Sequence, residues 1–474
     1  MRRIRKCAVL GRVTFNKIIP FLNIDQMCDV LVSASVALAP TKFGILKRLS
    51  DFYEIVTPTL DHEVWGATMG LKINSDSVAA ILRGTYGVSD SVLCTTSTTC
   101  KYAILAGLRA LADSNLITQE SNWKLPECYK DRVGIVYSTS FGQYDQIIQS
   151  LDLQIKADTV RDTVDRVCNL LDASDVPTSL GDEIRAHFAP NARSKLALQM
   201  LLTANVQLAQ LVGAKGPNTL TSNSCASTVF GLHIAHNFLK CGDADIIVVI
   251  GSDLPISNQT GITKSFGDLK VASRRYTAMT PFSKDNDGFI FGEAALCIVL
   301  ESPRSSRQCQ KVARVLNVQT ANSAYHGTRL DALHITNVLR MCILKVCASE
   351  GVDLKTFAER CVYVSHETCT QLCGAVEVAA LRGVFSDHLS SVIVANSKQF
   401  TGHTMGACLE DVFAIMCLSE QKVPTGNVSD ILPEYSDLNL GVDHQKKDIE
   451  YVVHASFGIG SHVSVIIYGR PHMS

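Results

Sequence analysis

The sequence predicts an α/β protein whose helices cover its sheets. Three observations carry this. Short β-branched runs recur along the chain, helical patterns lie between many of them, and the runs are almost continuously apolar, as strands buried on both faces must be. The expected strands are Val133 to Tyr137, Ile246 to Ile250, Leu296 to Leu300, Val362 to Val364, Val392 to Ala395, Tyr451 to His454 and Val463 to Tyr468. Tyr102 to Leu111 and Ala226 to Lys240 carry helical patterns.

Composition narrows the class. Of 474 residues, 46% are hydrophobic and 19% charged, an ordinary balance for a globular chain. The formal net charge of −1 gives no basic excess of the kind that marks wholesale nucleic-acid binding. The 17 cysteines include no CxxC pair, and the apolar run Cys7 to Leu10 is too short for a signal core. Reduced thiols and a cytoplasmic location are therefore expected. No apolar stretch approaches the ~20 residues of a membrane span. The polar segment Ser302 to Gln310 divides the chain into a larger part, 1–305, and a smaller part, 306–474. Asp152 to Asn191, charged and helix-rich, reads as a cap or insertion.

Three segments stand out for chemistry. After the turn Gly216-Pro217-Asn218 comes Ser222-Asn223-Ser224-Cys225-Ala226-Ser227, followed by a helical pattern that stops at Gly242. This puts Cys225 at a helix start, where the positive dipole end can lower a thiol pKa. Val362 to Val364 runs into Ser365-His366-Glu367-Thr368-Cys369-Thr370, and Val392 to Ala395 runs toward Lys398 and Thr401-Gly402-His403. Carboxyl ends of strands are where open α/β sheets place ligands, so Cys225, His366 and His403 can converge. His233 and His236 read as a surface pair. His366, Cys369 and Cys373 are weighed as zinc ligands, but no fourth ligand has matching local spacing, and no metal is expected.

These residues resemble the β-ketoacyl synthases of the thiolase-like fold. Six blocks lie in the family's order: the Cys225 segment; Gly242-Asp243-Ala244-Asp245; Pro281 to Glu293; His366-x-Thr368-x-Thr370 with Glu377; Lys398 with Thr401 to Ala407; and Ser456-Phe457-Gly458-Ile459-Gly460. Two histidines favour this branch over relatives that pair cysteine with histidine and asparagine, or with a second cysteine. The resemblance implies a layered α-β-α-β-α architecture of two related halves. It implies Cys225 as nucleophile, His366 and His403 as hydrogen-bond donors, and Lys398 with Glu377 as an organising pair. It further implies an oxyanion hole from the backbone N–H groups of Cys225 and Ile459, with Thr368, Thr370, Phe457, Gly458 and Gly460 near the substrate. Acyl carrier protein, acyl and malonyl thioesters and a dimer, most simply a homodimer, follow as partners. The carrier's phosphopantetheine arm is the substrate handle, and no bound cofactor is expected. Lys270, Arg274 and Arg275 are read as facing an acidic carrier or as a solvated loop.

The sequence departs from the family pattern in five places. Glu367 stands where the family has glycine, Gly374 where it has aspartate, Ile459 where it has phenylalanine, Val463 where it has asparagine, and Leu409 where it has glycine. Three readings stay open: a synthase of fatty acid or polyketide assembly, an acyltransferase that does not condense, and a non-enzymatic partner subunit.

Overall fold

The computed structural model describes residues 30–38, 53–56, 70–73, 75–142, 144–172, 200–255, 262–273, 279–284, 286–305, 307, 309–423, 431–440 and 448–471. Twelve strands are described: β1 (Val30–Leu38), β2 (Tyr53–Val56), β3 (Gly70–Ile73), β4 (Val133–Ser138), β5 (Asn218–Thr221), β6 (Ile246–Asp253), β7 (Ala294–Glu301), β8 (Ala313–Asn322), β9 (Cys361–Val364), β10 (Ile393–Ala395), β11 (Tyr451–Gly458) and β12 (His462–Gly469). β2 and β3 form a hairpin-like pair; the other ten make one sheet, ordered β10-β9-β11-β12-β8-β1-β7-β6-β4-β5.

That order contains a repeat invisible in the residues. Number β1, β4, β5, β6 and β7 from one to five, and do the same for β8 to β12. Each half then reads 3-2-4-5-1 from its edge inward, with the fifth strand antiparallel to the rest. The halves meet where β1 pairs with β8. The helices repeat too. Thr98–Asp113 and Ala332–Glu350 each join the first strand of a half to its second, and Ser227–Cys241 and Leu409–Glu420 each join the third to the fourth.

Ser227–Cys241 packs on β4 and β6 of its own half and on β8 and β12 of the other, and Leu409–Glu420 packs on β11 and on β1 and β7. Both helices are therefore sandwiched between the half-sheets, with Thr98–Asp113 and Ala332–Glu350 on the outer faces. The result is a thiolase-like α-β-α-β-α arrangement. It explains the continuous apolar runs: every residue of β6 and β7 is buried, because helices cover both faces.

Ala332–Glu350 is long and apolar enough, by length and composition, to cross a bilayer, contrary to the sequence expectation. It instead turns Ile335, Leu339, Cys342, Ile343 and Val346 onto β8, β12 and the helix Gln371–Phe385. The expected cap is in part the long helix Tyr144–Asp172; residues 173–191, with Arg274 and Arg275, lie outside the described residues.

One buried carboxylate ties the halves together. Asp253, fully buried at the end of β6, accepts from Thr139 Oγ1 (2.8 Å), from the N–H groups of Ser140 (2.9 Å) and Phe141 (3.2 Å), and from Gly406 N–H (2.8 Å) in the other half. The Gly406 contact demands glycine, since a Cβ there would meet Ser140 N at 2.6 Å. Burial lifts the Asp253 carboxyl to about 6, against the pull of these donors. Asp253→Asn turns an amide N–H₂ toward buried N–H groups. It is expected to lower unfolding free energy by roughly 2–4 kcal/mol, read as a lower urea midpoint with an unchanged m-value.

Candidate active site

The two central helices start side by side. Cys225 precedes Ser227–Cys241, whose N-cap is Ala226, and Cys408 is the N-cap of Leu409–Glu420. The starts are stitched together: Thr228 Oγ1 donates to Gly406 O (2.6 Å), Cys408 N–H donates to Thr228 Oγ1 (3.0 Å), and Cys408 Sγ donates to Cys225 O (2.9 Å). Ser224 is held at φ 51° and Met405 at φ 54°, so both loops pass through the left-handed region beside the sulfur.

The structure brings the three expected side chains together. His403 Nε2 lies 3.1 Å from Cys225 Sγ. The His366 ring stands edge-on to His403 at 5.8 Å, and Phe457 packs on His366 at 5.2 Å. Ser456 bridges the cluster: its hydroxyl donates to Cys225 O (2.7 Å) and lies 3.4 Å from His366 Nδ1. Around the sulfur is an apolar wall of Phe289, Phe291, Met279, Ala272 and Met405. Phe289 faces the His403 ring at 4.9 Å.

Burial sets the protonation states. Cys225 is 7% exposed. Desolvation pushes its thiol up to about 12, and the nearby Lys398 ammonium only partly offsets that. The expectation of a lowered thiol pKa at a helix start is therefore corrected: loss of water outweighs the helix end and the cation. Burial, then Lys398, takes His403 down to about 3 and His366 well below its ordinary value. At rest the site holds a neutral thiol and two neutral imidazoles.

The Lys398 partner is also corrected. Lys398 is 1% exposed and ion-pairs with Glu410, in the first turn of Leu409–Glu420. Burial opposes both charges, yet each partner prevails. Lys398 stays above its ordinary value, and Glu410, helped by Lys398 and His454, falls to about 2. Glu377 instead accepts from His366 N–H (2.7 Å) and Tyr363 OH (2.7 Å), and so holds the first histidine's loop.

The remaining expected residues separate. Thr368 and Thr370 lie 3.3 Å apart through their hydroxyl oxygens, just past His366. Gly458 is pressed on the Cys225 loop, where a Cβ would meet Asn223 O at 2.7 Å. Ile459 is an exposed side chain in the β11–β12 turn, so it does not wall the site where the family has phenylalanine. Gly460 turns away, donating to Gly327 O (2.7 Å). Lys270 is exposed. His236 is not a surface residue: it is buried and pushed down to about 3 by desolvation. The weighed zinc set does not form; the close cluster is Glu367, Cys373 and Glu377.

Sequence reasoning missed Glu410, Asp253 and Cys408, and placed Ser456 in the closing glycine-rich block without giving it a role. Glu410 carried a usable signal, an acid beside Asp411 in the first turn of a helix that then runs apolar from Val412 to Leu418. The other three are ordinary residues made important by position.

Known proteins supply the comparison. Residues 189–305 match the β-ketoacyl synthase N-terminal domain, and residues 313–428 match the β-ketoacyl synthase C-terminal domain. The chain is similar to 3-oxoacyl-acyl-carrier-protein synthase 2 of Staphylococcus aureus, 30% identical over 59% of this chain and 69% of that protein. It is also similar to the chloroplastic 3-oxoacyl-acyl-carrier-protein synthase I of Hordeum vulgare, 26% identical over 78% and 73% of the two chains. In fold it is similar to a β-ketoacyl synthase from Burkholderia phymatum (TM-score 0.73, 18% identity, 94% and 100% covered). A type II PKS ketosynthase in complex with its acyl-carrier protein shares the fold at TM-score 0.68 and 19% identity, with 94% and 100% covered.

The Lys398–Glu410 pair yields a stability test. Lys398→Met strands a buried carboxylate and is expected to cost about 3–5 kcal/mol. Lys398→Met with Glu410→Met should be less destabilised than Lys398→Met alone, as read by denaturant melts in a double-mutant cycle.

Proposed function

Because this chain belongs to the β-ketoacyl synthase family, the condensing enzymes of fatty acid and polyketide synthesis, we propose that it joins an acyl group held on Cys225 to a malonyl-type extender on acyl carrier protein. The observation that carries this is the Cys225 sulfur 3.1 Å from His403 Nε2, with His366 alongside and an apolar wall around them.

Cys225 Sγ attacks the carbonyl carbon of an acyl thioester, and the carrier's thiol leaves with a proton. The thiol proton has a neutral acceptor in His403 Nε2, and Lys398 favours the developing thiolate. The apolar wall, Phe289 and Phe291 foremost, accommodates the acyl chain. A malonyl thioester then enters and loses carbon dioxide. The resulting enolate oxygen accepts from the imidazole N–H groups of His366 and His403. The enolate carbon attacks the acyl-cysteine, and the oxyanion formed accepts from the Cys225 and Ile459 N–H groups. Collapse releases a 3-oxoacyl thioester and expels the sulfur as a thiolate, which takes up a proton from solvent to restore the resting thiol. The phosphopantetheine arm of the carrier is the handle throughout, and the reading needs no resident metal or nucleotide. Assembly as a dimer is supported by β5, a half-exposed sheet-edge strand just before the nucleophile loop, where a second copy can add. The alternatives are an acyltransferase that stops at the adduct and a partner subunit without activity.

Incubation with acyl carrier thioesters should leave an acyl adduct on Cys225, seen by peptide mass spectrometry, and malonyl carrier should then release a 3-oxoacyl product. An adduct without condensation assigns the chain to simple acyl transfer; no adduct assigns it to a non-enzymatic subunit. His366→Ala should slow decarboxylation by about 10²–10³-fold more than acylation, whereas His403→Ala should slow both steps, because its Nε2 also takes the thiol proton. Equal loss of both steps in His366→Ala would remove the role given to that imidazole. With the thiol at about 12, alkylation of Cys225 by iodoacetamide should keep rising from about pH 7 to about pH 10, because the thiolate fraction climbs tenfold per unit. A plateau within that range would mean a stabilised thiolate.

A further inference from the structure

Glu367 and Gly374 face each other behind His366. A Cβ on Gly374 would lie 3.1 Å from Glu367 Oε2 and 3.2 Å from Oε1 and Cδ, so the carboxyl head occupies the space a side chain at 374 would need. The two departures from the family pattern are thus one exchange: a carboxyl lost from position 374 is replaced by one reaching in from position 367. The head is 1% exposed and held on one side, where Cys369 N–H (3.1 Å) and Asn286 Nδ2 (3.3 Å) donate to Oε1. Cys369 sits at φ 60°, which bends the loop back over the carboxyl. On the other side, a carboxylate oxygen of Glu367, one of Glu377 and Cys373 Sγ lie within 4.8 Å of one another. Oε2 of each glutamate lacks a hydrogen-bond partner among the described residues.

Resting on the proposed condensation, we propose that Glu367 and Glu377 act as one proton-sharing carboxyl pair that positions the His366 loop, with Gly374 kept bare to admit the Glu367 head. Glu377 is the member that grips His366 N–H; Glu367 is a positioning residue that acts through it. Two ionised carboxylates this close, both cut off from water, repel strongly, and one proton removes the conflict. The groups facing Glu367 are Glu377 and Cys373 of the Gln371–Phe385 helix, Lys398, Tyr435, Asn286 and, on its own loop, Cys369. Lys398 is the cation among them, and it is committed to Glu410. Burial, then the Glu377 charge, pushes Glu367 up to about 8, so it holds the proton at neutral pH.

The sign follows. A carboxyl with a folded pKa above its free value favours the folded state most below the free value, and that advantage is lost as pH rises toward about 8. The wild-type melting temperature should therefore fall by several degrees more than that of Glu367→Gln between about pH 5 and about pH 8. Glutamine keeps an N–H donor toward Glu377 without the titration. Malonyl-thioester decarboxylation should decline above about pH 8 in the wild type, with the decline flattened in Glu367→Gln. Glu367→Ala should lose stability and decarboxylation together, with Glu367→Gln recovering most of both. Glu367→Gly combined with Gly374→Asp should melt above Glu367→Gly alone, since it returns a carboxyl from the other wall.

Parallel melting curves for the wild type and Glu367→Gln, or no recovery in the exchanged double variant, would overturn the pairing. So would one equivalent of zinc found by elemental analysis of the purified protein, because a cation would then do the proton's work. The melting data need no activity. A wild type that fails to condense but keeps the pH-dependent gap to Glu367→Gln sinks the functional reading and leaves the pair standing.

Discussion

The Asp253 carboxylate is the constraint on which the rest depends. It stands at the carboxyl end of the fourth strand of one half and gathers N–H groups from both halves. Gly406 lies three residues past His403 and two before Cys408, and Cys408 in turn donates to Cys225 O. Holding Gly406 thus fixes the sulfur and the second histidine by one clasp. Among the described residues no cation pairs with the carboxylate; dipoles hold it, and burial raises its pKa against their pull.

Burial governs the chemistry next to it. The same desolvation keeps the thiol protonated and both imidazoles neutral, so no charge is stored at rest. The permanent charges nearby, Lys398 and Glu410, cancel one another within a sealed pair. Such a site responds to a substrate instead of to water. Charge arises only when a bound group brings an oxygen that the N–H groups can stabilise, and away from water those donors count for more than they would in solvent.

How far the sequence could be read follows from the same physics. The parallel strands β4, β6, β9, β10 and β11, together with β7 and β12, were legible because helices cover both faces and leave unbroken apolar runs. β8 and β5 were not: β8 is half-buried over half of its length, mostly toward its C-terminal end, and β5 is a four-residue edge strand with alternating exposure. Cys225, His366 and His403 were legible by their place at strand and helix ends. The partner of Lys398 was not, because Glu377 and Glu410 are both acids on apolar helices and only the packing of Leu409–Glu420 between the half-sheets decides which one reaches the ammonium. The thiol pKa was misjudged because a helix end can be seen in a sequence, whereas the degree of burial around it cannot.

The duplicated topology explains why the site has the shape it has. Equivalent loops, each leading from a third strand into a central helix, come together with Cys225 in one and His403 in the other. The fourth strands end at Asp253 in one half and at Gly458, just past Ser456 and Phe457, in the other. One half contributes Cys225 and the Asp253 clasp; the other contributes the two imidazoles and the Phe457 ring packed against His366. Cys408 is the N-cap of the second central helix, one position nearer its helix than Cys225 is to the first, and its sulfur is spent donating to the Cys225 carbonyl. The second thiol at this junction is thereby a structural donor, so the matched halves are unequal: the Cys225 sulfur faces His403 Nε2, and the Cys408 sulfur faces a backbone carbonyl.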